Sequence, residues 1–375
     1  MNSKPILVSL SFYVFVSLSG CGGSGAHTPT STAPQSAIAT VYGGDFSSNG
    51  DIDAMTLSSD GTVTSFTTPS FTILDPPVAV TVVPSAGLLY VAGQARAAFT
   101  GGSVSLLKIS TGGHLSATSA PIIFSVDQPE SMSTTSSGDL LLVNRNGGGS
   151  SIYRVDTTGG TAALIGGFFT NGPAAISGDG RFIFAVDGSN FNSYVLNQVS
   201  GSITLATSII DSVFGGQPTP ILVDPSGKFV YEPISKGSFS PAGIAGFSVA
   251  ADGTLTPIPG SPFASDLSFG SAAGPVFSAA VIDPSGTHLY AEAAPFVYAF
   301  SIDQTTGALS PISGAFPFSS VHPFGLTIDP SGQFLLISNL DSVFSYSLAS
   351  DGAPTLTRNS PFSAGHELTS MVSVR

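Results

Sequence analysis

Residues 281–318 read VIDPSGTHLYAEAAPFVYAFSIDQTTGALSPISGAFPF. Four strand-like segments lie in this stretch. An apolar run ends at Asp283-Pro284-Ser285-Gly286, a turn in which Asp caps with its side chain, Pro pre-sets φ and Gly accepts a positive φ. A second strand follows at His288-Leu289-Tyr290-Ala291. The third alternates apolar and polar residues from Val297 to Ile302, as a half-buried strand does. The turn Gln304-Thr305-Thr306-Gly307 then leads into a fourth segment that ends at Ser310-Pro311. Proline donates no ladder hydrogen bond, so this fourth strand must lie at a sheet edge.

The same unit repeats along the chain. The Asp-Pro-Ser-Gly turn recurs at Asp224 and Asp329, with weaker copies at Pro84-Ser85-Ala86-Gly87, Ser136-Ser137-Gly138 and Gly178-Asp179-Gly180. The later turn recurs too, ending at Gly61, Gly113, Gly160, Gly201, Gly253, Gly307 and Gly352, roughly 40–55 residues apart. Several strands per period of this length are the signature of propeller blades. No segment carries a sustained helical period. The first unit, Ala37 to Leu74, lacks a first strand, and Glu367 to Arg375 read as a lone first strand. The two complete one blade between them. The expected fold is therefore an all-β, seven-bladed β-propeller of four-stranded antiparallel blades, closed by its C-terminal strand on the N-terminal blade.

The 375 residues are 42% hydrophobic and only 9% charged, against about 25% charged in typical soluble domains. The formal net charge is −13. A Lys- and Arg-poor acidic surface repels phosphate backbones, which argues against nucleic acid as a partner. The aromatic residues are 27 Phe and 9 Tyr with no Trp. They occupy strand positions that should pack between blades, and the lack of Trp argues against a carbohydrate platform.

The N-terminus reads as a targeting signal. Lys4 precedes an apolar run from Ile6 to Leu18, which is too short to span a membrane as a mature helix. It ends in Leu18-Ser19-Gly20-Cys21, which resembles the lipobox of bacterial lipoproteins. That resemblance implies cleavage before Cys21 and lipidation of its sulfur. Cys21 is also the single cysteine, so no intrachain disulfide or cysteine nucleophile is expected. The expected organisation is a signal peptide over 1–20, a lipidated Cys and flexible tether over 21–36, and the propeller over 37–375. Gly22 after the Cys suggests, by lipoprotein sorting rules, the outer membrane, facing either periplasm or exterior. The expected partners are the membrane through the anchor, and a protein or small ligand at the channel mouth of a monomer.

The repeats resemble the seven-bladed propeller lactonase family, which includes 6-phosphogluconolactonase-type enzymes and the fungal carboxymuconate lactonizing enzyme. The resemblance is carried by the Asp-Pro-Ser-Gly turns, by second strands such as Leu89-Tyr90-Val91-Ala92-Gly93, and by hairpins such as Asp252-Gly253-Thr254-Leu255-Thr256-Pro257. It covers residues 37–375 and implies a lactone-processing ancestry, with a His on a strand leading in from the mouth and with Arg and carboxylate partners.

Ligands of propellers bind at the face built by loops leading into first strands and out of second strands. His322, Arg145 and Glu130 are the catalytic candidates on this reading. His322 would act as general base on water and Arg145 would polarise a carbonyl. His366, Glu367, Arg96, Asn144, Asp187, Glu292 and Asn339 are the binding candidates. The alternative for either His is a loop residue bonded to neighbouring backbone. Only nine of the ten Lys and Arg lie beyond Lys4, fewer than a phosphorylated sugar would be expected to need. No cofactor is expected, with one exception. Asp45, Asn49, Asp51 and Asp53 follow Ca²⁺-loop spacing around Gly50, although Thr56 stands where a bidentate Glu is expected. A polar hairpin loop is the alternative. Other motifs, such as a nucleophile elbow, a P-loop or a dinucleotide fingerprint, are absent from the sequence. Three functions follow as expectations: a ligand- or protein-binding module without strong catalysis, a sugar lactone hydrolase, or a structural envelope protein.

Overall fold

The computed structural model describes residues 36–45, 50–65, 70–96, 101–124, 127–210, 220–234, 243–263, 277, 279–293, 296–312, 316–317, 323–339, 341–364 and 368–375. All belong to the compact unit Ser36–Arg375. They form a seven-bladed β-propeller, each blade built on four antiparallel strands in sequence order from the axis outward. Blades 1 to 6 occupy residues 77–124, 129–168, 174–210, 222–257, 279–317 and 323–363. Blade 7 is shared by the two ends of the propeller. Its inner strand is Leu368–Val374, and Ala37–Asp45, Asp51–Ser58 and Val63–Ser65 lie outside it. Thr40 pairs with Val374, Tyr42 with Val372 and Gly43 with Met371, so the expected ring closure is present.

The Asp-Pro-Ser-Gly turns fold as their residues dictate. Asp329 Oδ1 accepts the backbone N–H groups of Gln333 (2.8 Å) and Phe334 (2.7 Å), while Oδ2 accepts that of Ser331 at 2.9 Å. Asp283 accepts those of Thr287 and His288 in the same way. One buried carboxylate thus satisfies donors that the tight reversal leaves unpaired.

The outer strands depart from a uniform pattern. In blades 1, 5, 6 and 7 the fourth strand stops after three residues, and a short second piece pairs back onto the third strand. Phe362–Ser363 does this in blade 6. Phe263 does it in blade 4, through a single bridge to Ile244. Blades 2 and 3 instead keep unbroken eight-residue outer strands, Thr161–Phe168 and Ile203–Ile210. Neither contains Pro, so nothing in them interrupts the ladder.

Blades are joined by a repeated seam. The Tyr231 hydroxyl donates to the Gly307 carbonyl of the next blade at 2.8 Å. Tyr290 does the same to Gly352 (2.9 Å) and Tyr42 to Gly113 (2.7 Å). Gly307 has φ +74°, and a Cβ there would stand 2.4 Å from Phe229 Cδ1 in the preceding blade. Gly61 sits over Phe334, Gly253 over Phe182 and Gly352 over His288 in the same manner. The hairpin glycines read from the sequence as turn formers are thus also the contact points between blades.

Replacing Gly307 with Ala is predicted to destabilise the propeller by roughly 2–4 kcal/mol, combining left-handed backbone strain with overpacking against Phe229. Tyr231→Phe, which removes one hydrogen bond, should cost about 1 kcal/mol or somewhat more for the carbonyl left buried. Urea unfolding of both variants checks the order; equal costs would refute the packing role given to Gly307.

Candidate functional site

The seven inner strands surround an axial channel. A cavity of about 810 Å³ occupies its end nearest the loops that lead into first strands and out of second strands. Its wall is largely apolar, with Val78, Val80, Val281, Leu326 and Met371 among the lining residues, and Thr327, Thr369 and Ser370 contribute hydroxyls. The opposite end holds a separate cavity of about 520 Å³, lined by hydroxyl-rich segments such as Ser133 to Ser136.

Three of the residues singled out from sequence line the upper mouth together: Glu130, Asn144 and Arg145. Local pairing explains how Glu130 arrives there. Pro129 faces Arg145 and Ser131 faces Asn144, so Glu130 is the extra residue of a bulge. Proline at the strand start offers no N–H to the ladder, and a bulge re-aims the residue it leaves unpaired. Blade 1 repeats the device, with Val78 extra between Pro77 and Ala79. Glu130 is exposed toward the channel. Desolvation by the surrounding walls still raises its carboxyl above the ordinary range.

Arg145 is not a free cation. Its Nη1 donates to Asp127 Oδ2 at 2.9 Å. Asp127 is held in the left-handed region with φ 58°. Gly147, Gly148 and Gly149, all at positive φ, fold the following loop around this pair. A Cβ on Gly147 would lie 3.0 Å from Asp127 Oδ1, and one on Gly149 would lie 3.1 Å from Arg145 Nη2. Only glycine fits a loop so close to the ion pair.

Asn144 acts as a strut. Its Nδ2 donates to Ser131 Oγ and to the Ala174 carbonyl of blade 3, both at 2.8 Å, and its Oδ1 accepts from Ser150 Oγ at 2.7 Å. The amide is occupied in joining two blades.

The other candidates are dispersed. Asp187, at the end of a second strand, accepts from Asn171 Nδ2 at 3.1 Å, and Asn171 itself lines the mouth. Arg96 is exposed beyond the lining residues, and Asn339 ends the second strand of blade 6. Glu292 is fully buried within blade 5. His322, His366 and Glu367 lie outside the described residues, as do Cys21 and Asn49. Of the remaining Ca²⁺-spaced carboxylates, Asp45 and Asp53 are buried in blade 7, and Asp51 accepts from Thr72 Oγ1 at 2.6 Å. Among the described residues no three His, Cys, Asp or Glu side chains gather as a metal-binding set. Two features of the mouth were missed from sequence, Asp127 as the partner of Arg145 and the bulge that aims Glu130. The recurrent Pro at first-strand starts was the available signal for the second.

No protein-family model matches the chain, and no curated protein is similar to it at a significant level. Solved structures do match. A candidate 6-phosphogluconolactonase from Bacteroides uniformis superposes with a TM-score of 0.73 at 18% identity, covering 90% of this chain and 99% of the other. The periplasmic gluconolactonase of Pseudomonas aeruginosa gives 0.73 at 16% identity, with the same coverages of 90% and 99%. A protein from Lactobacillus plantarum gives 0.71 at 14% identity, again covering 90% and 99%. At these identities the likeness establishes the fold.

One further carboxyl is buried in blade 4. Glu232 is 6% exposed, and its Oε2 has no hydrogen-bond partner. It lies on the same strand face as Val230 and Ile234, which pack into the apolar seam with blade 3. Burial pushes its pKa from 4.5 up to about 8. Between those values the folded chain holds a proton that the unfolded chain releases. Stability is therefore highest below the ordinary carboxyl range, falls by about 1.4 kcal/mol per pH unit as pH rises, and levels off above about 8. Glu232→Gln is predicted to remove this slope and to be the more stable protein at pH 8. Parallel unfolding curves at pH 5 and pH 8 measure it; an unchanged slope in the variant would count against a buried neutral Glu232.

Proposed function

We propose that this chain is a lipid-anchored protein of the bacterial envelope whose propeller binds a small molecule at the upper channel mouth, without strong catalysis. The observation that carries this reading is the mouth itself. It has the size and the mainly apolar wall of a ligand pocket. Glu130 and Arg145 are the only charged side chains among its described lining residues, and Arg145 is already paired with Asp127. A pocket with one engaged cation is poorly suited to a phosphorylated sugar. The anchor rests on the Leu18-Ser19-Gly20-Cys21 motif and the polar tether after it.

A second reading is supported by the fold shared with the Pseudomonas gluconolactonase. In it, water attacks a lactone carbonyl, His322 takes the water's proton, Arg145 stabilises the oxyanion, and the ring C–O bond breaks as His322 returns the proton to the ring oxygen, which leaves as a hydroxyl. For Arg145 to serve, its guanidinium must keep one face toward the channel while holding Asp127.

Two measurements separate these proposals. Ser36–Arg375 is expected to open glucono-δ-lactone and its 6-phosphate no faster than His322→Ala and Arg145→Ala variants do. A loss of about a hundredfold or more in either variant, the range supplied by one general base, would establish the hydrolase instead. Cys21→Ala is expected to move the full-length protein from the membrane fraction to the soluble fraction and to abolish fatty-acid labelling. Continued labelling would refute the anchor.

A further inference from the structure

The mouth carries an unbalanced charge and an unused aromatic ring, and together they specify a ligand class. Arg145 and Asp127 neutralise each other at 2.9 Å. Glu130, aimed into the cavity by its bulge, has no salt bridge or hydrogen bond from any described residue. Among the described residues the mouth is therefore left with a single net negative charge. Walls such as Val78, Val80, Ala280 and Val281 surround it with apolar surface. The low local polarity that raises the Glu130 carboxyl also strengthens its attraction for a cation brought into the mouth. The chain's net charge of −13 adds a long-range field of the same sign.

The ring is Phe169, which is 66% exposed. It lies on the connection from blade 2 to blade 3, immediately before Thr170 and Asn171, which line the mouth. Gly148 belongs to the same lining, and a Cβ on it would stand 2.8 Å from both Cε2 and Cζ of Phe169. The loop around the Arg145–Asp127 pair thus seats an open aromatic ring on the rim. An exposed Phe of this size is costly to leave in water, and its face attracts organic cations.

Building on the channel-mouth reading above, we infer that the site takes an organic monocation with an apolar or aromatic body, its charge on Glu130 and its body against Phe169 and the apolar wall. One carboxylate balances one positive charge, whereas a bare divalent metal would need several more oxygens. An anionic sugar phosphate meets the wrong sign. The hydroxyls of Thr369 and Ser370 are engaged: Thr369 donates to the Pro77 carbonyl at 2.9 Å, and Ser370 accepts from Val80 N–H at 3.3 Å. Glu130 is the one carboxylate among the described lining residues.

Three probes of one shape test this: 4-phenylbutylammonium, 4-phenylbutanol and 4-phenylbutyrate. Each is titrated against the full chain in nanodiscs of zwitterionic lipid, with empty nanodiscs as the blank. The ammonium should bind at least about tenfold tighter than the alcohol, and the carboxylate weakest. Glu130→Gln should bring the ammonium down to the affinity of the alcohol, and Phe169→Ala should weaken the ammonium and the alcohol severalfold. Both residues are exposed, and an unchanged melting temperature verifies that the variants fold. If the carboxylate binds as well as the ammonium, or Glu130→Gln changes nothing, the cation class is overturned. Probes that bind alike yet still respond to Phe169→Ala would keep the channel site while removing this class. Failure of all three to bind would remove both.

Discussion

The ring rests on how closely the glycine hairpins let one blade approach the next. Tyr42, Tyr231 and Tyr290 each donate a buried hydroxyl to a hairpin glycine of the following blade. The contact needs two things at once: a left-handed turn that presents its carbonyl, and no side chain between the turn and the preceding sheet. Glycine alone supplies both. Each seam then places seven inner strands at a fixed spacing around the axis, and that spacing sets the width of the channel. The outer hairpins, far from any ligand, thereby define the site.

The channel mouth is built from exceptions to this regularity. Blades 1, 2 and 6 begin their inner strands with a Pro followed by a bulge. In blade 1 the bulged residue is Val78, so the wall stays apolar; in blade 2 it is Glu130, and the same geometry delivers a carboxylate. One substitution in a repeated frame is enough to change the chemistry of the mouth. The triple-glycine loop after Arg145 is a second exception, and it controls three groups: the ion pair, the lining and the exposed Phe169.

The fold was legible in the sequence because its determinants are local. An Asp that caps its own turn and a Gly that ends a four-residue turn act over four or five positions, and repetition made their period visible. Ring closure was legible too, because an unmatched strand at one end answered a missing strand at the other. Glu130 and Arg145 could be placed on the mouth by their position in the repeat. Their electrostatic state could not. Asp127 and Arg145 are brought together by a left-handed backbone and a glycine loop. Blade 1 also has an Asp two residues before its inner-strand Pro, Asp75, but Gly93 stands opposite that Pro where blade 2 has Arg145, so the pair itself gives no repeating pattern. Asn144 misled for a related reason: a polar residue at the end of an inner-facing strand suggests a ligand contact, yet here its amide bridges Ser131 and Ala174. The burial of Glu292 and Glu232 follows from packing within and between blades, which sequence spacing does not report.

The pairing of Leu368–Val374 with Ala37–Asp45 orders events in time as well as space. The strand at the axis of blade 7 leaves the ribosome after every other strand of the propeller, while its partners leave first. Until those last residues emerge, Tyr42 and Val41 lack the neighbour that covers them, and the six blades between form an open arc. A propeller that lacks this strand keeps two unpaired edges, one on blade 7 and one facing it across the gap.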